Sequence, residues 1–222
     1  MFKLPSIPTG APVSLALIAL NIALYLGQMA SGGSMTNAGL LYGPLVQEGQ
    51  WWRLLTSGFL HGSLLHVGFN MYLLYMLGPQ LERSFGSLRF SLMYLSSLVG
   101  GALTVMLFDW DQATLGASAA VLGLAAVMGI ALHERGMKPQ QSPVFGLVVL
   151  NLALPLLVPG ISFWGHFGGV LAGLLIGYLV IWLPARSQGA STSNTVSIGA
   201  AAIVLLTALA IMAAKLGGVS LG

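Results

Sequence analysis

The chain contains no cysteine, which excludes disulfides, zinc–thiolate sites and thiol nucleophiles and leaves the redox character of its compartment unmarked. Charge is nearly as scarce. Lys and Arg number 8 and Asp and Glu 5, or 6% of 222 residues, against roughly 25% in soluble domains. Hydrophobic residues make up 56%, and the mean hydropathy is +0.89. This composition predicts an all-α polytopic membrane protein folded as one bundle, with the lipid bilayer as its surroundings and no room for a second soluble domain. The basic residues are scattered singly, so the net charge of +3 reads as a topology signal and not as a nucleic-acid surface. No aspartate falls inside a predicted span, which excludes a paired-aspartate intramembrane protease. His133-Glu134 lacks the second histidine of a zinc-binding HExxH motif.

Seven apolar stretches are long enough to be read as spans: residues 11–29, 60–77, 88–108, 115–132, 144–158 (short, and interrupted by Pro155), 161–183 and 196–216. The first is too long for a signal-peptide core and shows no convincing cleavage site, so it is expected to be retained. Residues 31–56 form a long Gly- and Ser-rich loop carrying Glu48 and Trp51-Trp52-Arg53. Loops of that length are usually functional or interfacial, and tryptophan favours the interface. A six-helix domain (1–183) is followed by residues 184–222, which comprise a polar linker (184–194) and a last helix (196–216). With the N-terminus inside, Lys3, Arg83, Arg89, Arg135, Lys138 and Arg186 are cytoplasmic, and Arg53 and Lys215 are outside. The absence of a targeting extension then points to a bacterial plasma membrane.

Ser118 and His166 stand out as polar residues in two such spans. A serine there is ordinarily a packing residue whose hydroxyl bonds back to its own helix. Its matching depth with His166 argues for more: about four and five residues into helices entering from the outer face, both sit roughly 6–8 Å below the boundary. Gly165, Gly169, Gly173 and Gly177 form a stripe at every fourth residue, and Ala119 and Gly123 offer a matching one. Close approach along those stripes would allow the 2.6–3.2 Å Ser–His hydrogen bond that activates a hydroxyl, a distance range typical of such pairs at about hydrogen-bond length. His66 and Asn70, four apart and about 40° around the second helix, share a face. Polar groups in hydrocarbon point into the bundle or a wet cavity. Together with the Ser118 N–H they are candidate oxyanion donors. No acid lies where it would orient His166, so a Ser–His dyad is expected in place of a triad, with Asp109 and Asp111 as the outside alternatives. His61, at the loop–helix junction, is expected to tie down the loop. A small transporter is the weaker reading, because the polar set lies near one face and supplies no coupling-ion site.

In order and on these helices, Trp52-Arg53, His61…His66…Asn70, Glu82 and Gly86, Gly116-Ala117-Ser118 and His166-Phe167-Gly168-Gly169 with Gly173 resemble the rhomboid family of intramembrane serine proteases over residues 11–183. The resemblance implies a six-helix core with one additional C-terminal helix, and cleavage of transmembrane protein substrates near the outer face without metal or cofactor. It makes Ser118 the nucleophile, His166 its base, and His66 and Asn70 the oxyanion-stabilising pair. His61, Trp52, Arg53 and Glu82 become structural residues of the first loop and its anchor. Two positions depart from the family pattern. Ala119 stands where glycine is common, adding a methyl beside the oxyanion hole, and Leu122 stands where an aromatic often stacks on the histidine. A catalytically weak or inactive relative that binds transmembrane clients is therefore the alternative function.

Overall fold

The computed structural model describes residues 10–158, 160–186 and 192–218. Lys3 with the polar lead, Pro159 of the fifth–sixth turn and residues 187–191 of the linker lie outside them. Seven principal helices follow one another: α1 (Pro12–Ala30), α2 (Leu64–Phe85), α3 (Ser87–Phe108), α4 (Ser118–Glu134), α5 (Pro143–Ala153), α6 (Phe163–Gly177) and α7 (Thr192–Lys215). α6 runs on through a π-helical turn, Tyr178–Trp182, into Leu183–Arg186, and helix resumes at Thr192. The predicted linker is thus helical at both ends. There is no strand among the described residues, only an isolated bridge between Leu41 and Thr114. The chain is an integral, multi-pass helical membrane bundle.

Length and apolarity suit Pro12–Ala30, Ser87–Phe108, Phe163–Ala185 and Asn194–Lys215 to cross a bilayer by themselves, with mean hydropathies of 1.8, 1.7, 2.0 and 2.5. α2 is long enough, but His66, Asn70 and Gln80 dilute its apolar character. α4 is shorter, 17 residues or about 26 Å. It is buried without a break from Ala119 to Met128, as an all-round apolar helix at the centre of a bundle must be.

Two boundaries differ from the periodicity. α2 begins at Leu64, where the Ser63 hydroxyl accepts from the His66 N–H, so His61 precedes the helix. α4 begins at Ser118 itself, because Gly116 holds a φ of +132° that helix cannot accommodate. The first loop is also less irregular than its composition implies. It holds short helical turns at Ser34–Gly39, Gly43–Gln47 and Arg53–Thr56.

α6 packs on two neighbours through two glycine faces. A Cβ at Gly169 would overlap the Ala119 carbonyl, and one at Gly173 the Gly123 carbonyl. The expected ladder therefore seats α6 on α4 at these two rungs. Gly177 continues the seat on α4 against Ile130 and Val127, whereas Gly165 meets Val105 of α3. The second face was not anticipated: Gly168 lies against Thr104 and the Gly100 carbonyl of α3, and the Thr104 hydroxyl donates to the Trp164 carbonyl at 2.6 Å.

Glu82 is 1% exposed and closes the opposite end of the bundle. It accepts from the Val13 N–H (2.9 Å), the Ser14 N–H and hydroxyl (2.7 Å each) and the Ser87 hydroxyl (2.7 Å). It caps the N-terminus of α1, whose own cap residue Ala11 offers no side-chain acceptor. The role implied for Glu82, an anchor of the first loop, is thereby corrected: its partners are α1 and the start of α3.

Gly173→Ala must move backbone, so it is expected to destabilise the bundle by about 1–3 kcal/mol. Gly129→Ala, in α4 with nothing within 4 Å of the new methyl, is expected to be neutral or slightly stabilising. Thermal unfolding of the two variants in detergent compares them.

Candidate active site

Five helix ends and the first loop converge on a cavity of about 610 Å³, bordered by Ser57, His66, Asn70, Val105, Ser118, Asn151 and His166. Ser118 is the first residue of α4 and His166 the fourth of α6. Their side chains meet at 2.9 Å, Oγ to Nε2. The other ring nitrogen, Nδ1, lies 2.9 Å from the Asn151 carbonyl, near the end of α5.

That second contact decides the first. A carbonyl oxygen only accepts, so Nδ1 carries the proton and Nε2 presents its lone pair. The Ser118 hydroxyl is then the donor, which is the arrangement a hydroxyl needs to lose its proton as it attacks. His166 is 5% exposed and Asn151 4%, so neither hydrogen bond competes strongly with water. No acid takes part: Asp109 accepts from the Ser162 hydroxyl at 2.6 Å, which in turn caps α6 by accepting from the Gly165 N–H. Asp111 is exposed. The orienting group was invisible in the sequence because it is a backbone atom.

The His66 ring covers Gly116. A Cβ there would fall 2.6 Å from His66 Nε2 and 3.8 Å from Ser118 Oγ, so only glycine fits beneath the ring, in addition to its left-handed φ. Asn70, 2% exposed, turns its amide back to the His66 carbonyl at 3.0 Å and so steadies the turn that carries His66. One of its two N–H bonds is thus already committed. His61 sits edge-on to His66, ring centroids 5.0 Å apart, and receives the Ala117 N–H at 3.5 Å. Its backbone is clasped by Gln28 of α1, which accepts the His61 N–H at 2.9 Å and donates to its carbonyl. Gln28 carried no sequence signal beyond being polar in a span.

Arg53 and Trp52 belong to the first loop and not to the cavity. Arg53, 4% exposed, donates to the Leu40 carbonyl and Gln50 Oε1, each at 2.8 Å, and burial lowers its guanidinium from the ordinary value. Trp52 is half exposed and donates to the Ala38 carbonyl at 3.2 Å. The Ala119 methyl is directed at Gly101 of α3, where a second methyl would collide with it. It packs against α3 at the edge of the cavity, which Ala119 also lines. Leu122 is buried.

A family model for the Rhomboid domain matches residues 48–183, more than half of the chain. Rhomboid protease GluP of Bacillus subtilis is 34% identical over 164 residues, 70% of this chain and 32% of that protein. RHOMBOID-like protein 5 of Arabidopsis thaliana is 33% identical over 68% of this chain and 51% of its own length. Rhomboid-like protease 1 of Toxoplasma gondii is 32% identical over 70% and 59%. The chain thus spans between a third and three-fifths of the length of these relatives.

The hydrogen-bond pattern predicts the neutral His166 tautomer. With ¹⁵N-labelled histidine, the His166 resonance should show a proton on Nδ1 and none on Nε2 at neutral pH. The reverse assignment would remove Ser118 as the donor of the pair.

Proposed function

The chain belongs to the rhomboid family, and from that premise we propose that it is an intramembrane serine endopeptidase acting through Ser118 and His166 on transmembrane protein substrates. The observation that carries this reading is the chain of two 2.9 Å contacts, Ser118 to His166 Nε2 and His166 Nδ1 to the Asn151 carbonyl.

In the acylation step Ser118 Oγ attacks the scissile carbonyl carbon while its proton passes to His166 Nε2. The imidazolium so formed keeps its Nδ1–H on the Asn151 carbonyl, which stabilises the positive charge without a carboxylate. The carbonyl oxygen becomes an oxyanion. Its donors are the Ser118 N–H, which as the first of its helix has no intrahelical acceptor, and the His66 ring. Collapse breaks the C–N bond, and the leaving amine takes the proton from Nε2. A water then gives its proton to Nε2, attacks the acyl ester and releases Ser118 on the reverse path. Asn70 supports this site by holding the His66 turn, with its second amide N–H left to face the cavity. His61, Trp52 and Arg53 hold the first loop.

Residues 1–183 form the catalytic unit in this reading, and residues 184–222 the additional helix. The basic residues Arg83, Arg89, Arg135 and Lys138 occur at the ends of helices remote from the cavity, whereas Arg53 and Lys215 occur at its end. The positive-inside rule then opens the cavity to the outer face of a bacterial plasma membrane. The cysteine-free chain makes that directly measurable. A single cysteine at Trp51 should react with an impermeant maleimide from outside intact cells, and one at Gly136 only after lysis.

Cleavage of a labelled transmembrane substrate in liposomes tests the chemistry. Ser118→Ala and His166→Ala should each lose at least about 10³-fold in turnover. His66→Ala should lower kcat by about 10²–10³-fold with KM little changed. Product formed by Ser118→Ala at the wild-type rate would sink the mechanism. Binding of several helix-destabilised substrates without cleavage by the wild type would move the chain to the client-binding alternative.

A further inference from the structure

The additional helix ends beside the site. Resting on the nucleophile reading of Ser118, we propose that the last turn of α7 is a positioning element of catalysis: it clamps the first loop and the α3–α4 connection, and through them the segment that presents Ser118.

Two independent features join α7 to that region. The first is polar. The last carbonyls of a helix have no intrahelical partner and, at a membrane boundary, are ordinarily left to water. Here the Ala214 carbonyl accepts from Trp110 Nε1 at 3.1 Å and the Lys215 carbonyl from Gln47 Nε2 at 3.1 Å. Trp110 lies in the α3–α4 connection and Gln47 in the first loop, so α7 holds both segments that border the cavity. The Lys215 ammonium adds a contact over the Trp51 ring, 5.9 Å from its centroid.

The second feature is apolar. Ala210 and Ala214 of α7, both fully buried, share a hydrophobic cluster with Leu41 and Val46 of the first loop and with Ala102 and Val105 of α3. This cluster is distinct from the main core. Leu41, Ala102 and Val105 also line the catalytic cavity. One side of the cluster is α7, and the other is the wall of the site.

From Trp110 to Ser118 the chain is fastened at each step. The Trp110 carbonyl accepts from the Gly43 N–H at 2.9 Å, and a Cβ on Gly43 would collide with the Trp110 ring. Thr114 and Leu41 exchange two backbone hydrogen bonds of 2.9 Å, and the Gly116 N–H donates to the Ser57 carbonyl at 2.9 Å. Two residues later comes Ser118. Releasing Trp110 or Gln47 from α7 therefore loosens the strap beneath His66 and Ser118 without removing any atom from the cavity.

The experiment separates positioning from bulk packing by comparing the two ends of α7. Trp110→Phe keeps a ring and removes the N–H. Gln47→Ala removes the other cap at an exposed position. Gly199→Val is the counterpart at the far end, where a Cβ would lie 2.8 Å from Leu92 Cδ1. Each variant, and the Trp110→Phe/Gln47→Ala pair, is assayed for the rate of Ser118 labelling by a small fluorophosphonate, for Tm, and for amide exchange at Leu41 and Thr114. Labelling should slow about three- to tenfold in Trp110→Phe and further in the pair, with faster exchange at the two amides and Tm near wild type. Gly199→Val should lower Tm and leave labelling unchanged. Wild-type labelling rates in the Trp110→Phe and paired variants would overturn the inference alone, as would rates that follow Tm across all variants. A wild type that the probe does not label would overturn the nucleophile reading of Ser118, and this inference with it.

Discussion

Backbone-to-backbone contact between α4 and α6 is the constraint from which the remaining geometry follows. In hydrocarbon no solvent term presses helices together, so association depends on how closely they approach. Gly169 and Gly173 remove the two side chains that would hold α6 away from the carbonyls of Ala119 and Gly123. Ser118 and His166 lie just beyond this seam, each at the start of its helix. A hydroxyl and an imidazole have short reach, and a 2.9 Å contact between them exists only because the two axes are already close. The α3 seam at Gly100 and Gly168 fixes α6 from the other side, so the pair is held against rotation as well as separation.

Polar groups are placed at the ends of the helices, where each closes a specific gap. Glu82 satisfies three donors from the first turn of α1 and one from Ser87, Gln28 clasps the His61 backbone, and Arg53 binds the Leu40 carbonyl. A buried charge left alone would cost several kcal/mol, on the order of the stability of a whole domain. Paired in this way, each ties two segments remote in sequence. The middle of the bundle is filled mostly by small and apolar side chains, so close packing carries most of the register there.

Legibility in the sequence follows the same division. Glycine spacing in α6, the polar residues in apolar spans and the helical membrane bundle were readable because they depend on residue type at fixed intervals. Helix starts were not: apolarity continues through Leu115–Ala117, and only the positive φ of Gly116 stops α4 from extending back to them. Apolarity likewise does not mark the start of α2, which the Ser63 cap sets at Leu64, beyond His61. The partner of His166 Nδ1 could not be read at all, because every residue has a carbonyl and only the path of α5 selects that of Asn151. Glu82 showed as important but not for what, since its partners lie 68 and 69 residues away in α1. The direction of the Ala119 methyl likewise depends on α3, which offers Gly101 to receive it.

The placement of Ser118 at the first position of α4 reaches beyond its hydrogen bond. Aligned peptide dipoles leave about half a positive charge at a helix N-terminus. α4 is sheathed by its neighbours over most of its length, so little solvent screens that field. In the proposed mechanism the alkoxide or oxyanion at Ser118 develops at the favourable pole of the bundle's central helix. The same pole exposes N–H groups that hydrocarbon cannot satisfy. In the proposed hydrolysis, water must reach the acyl ester at this same depth. Where α4 starts thus determines both how deep in the bilayer a charge is tolerated and how deep water has to travel.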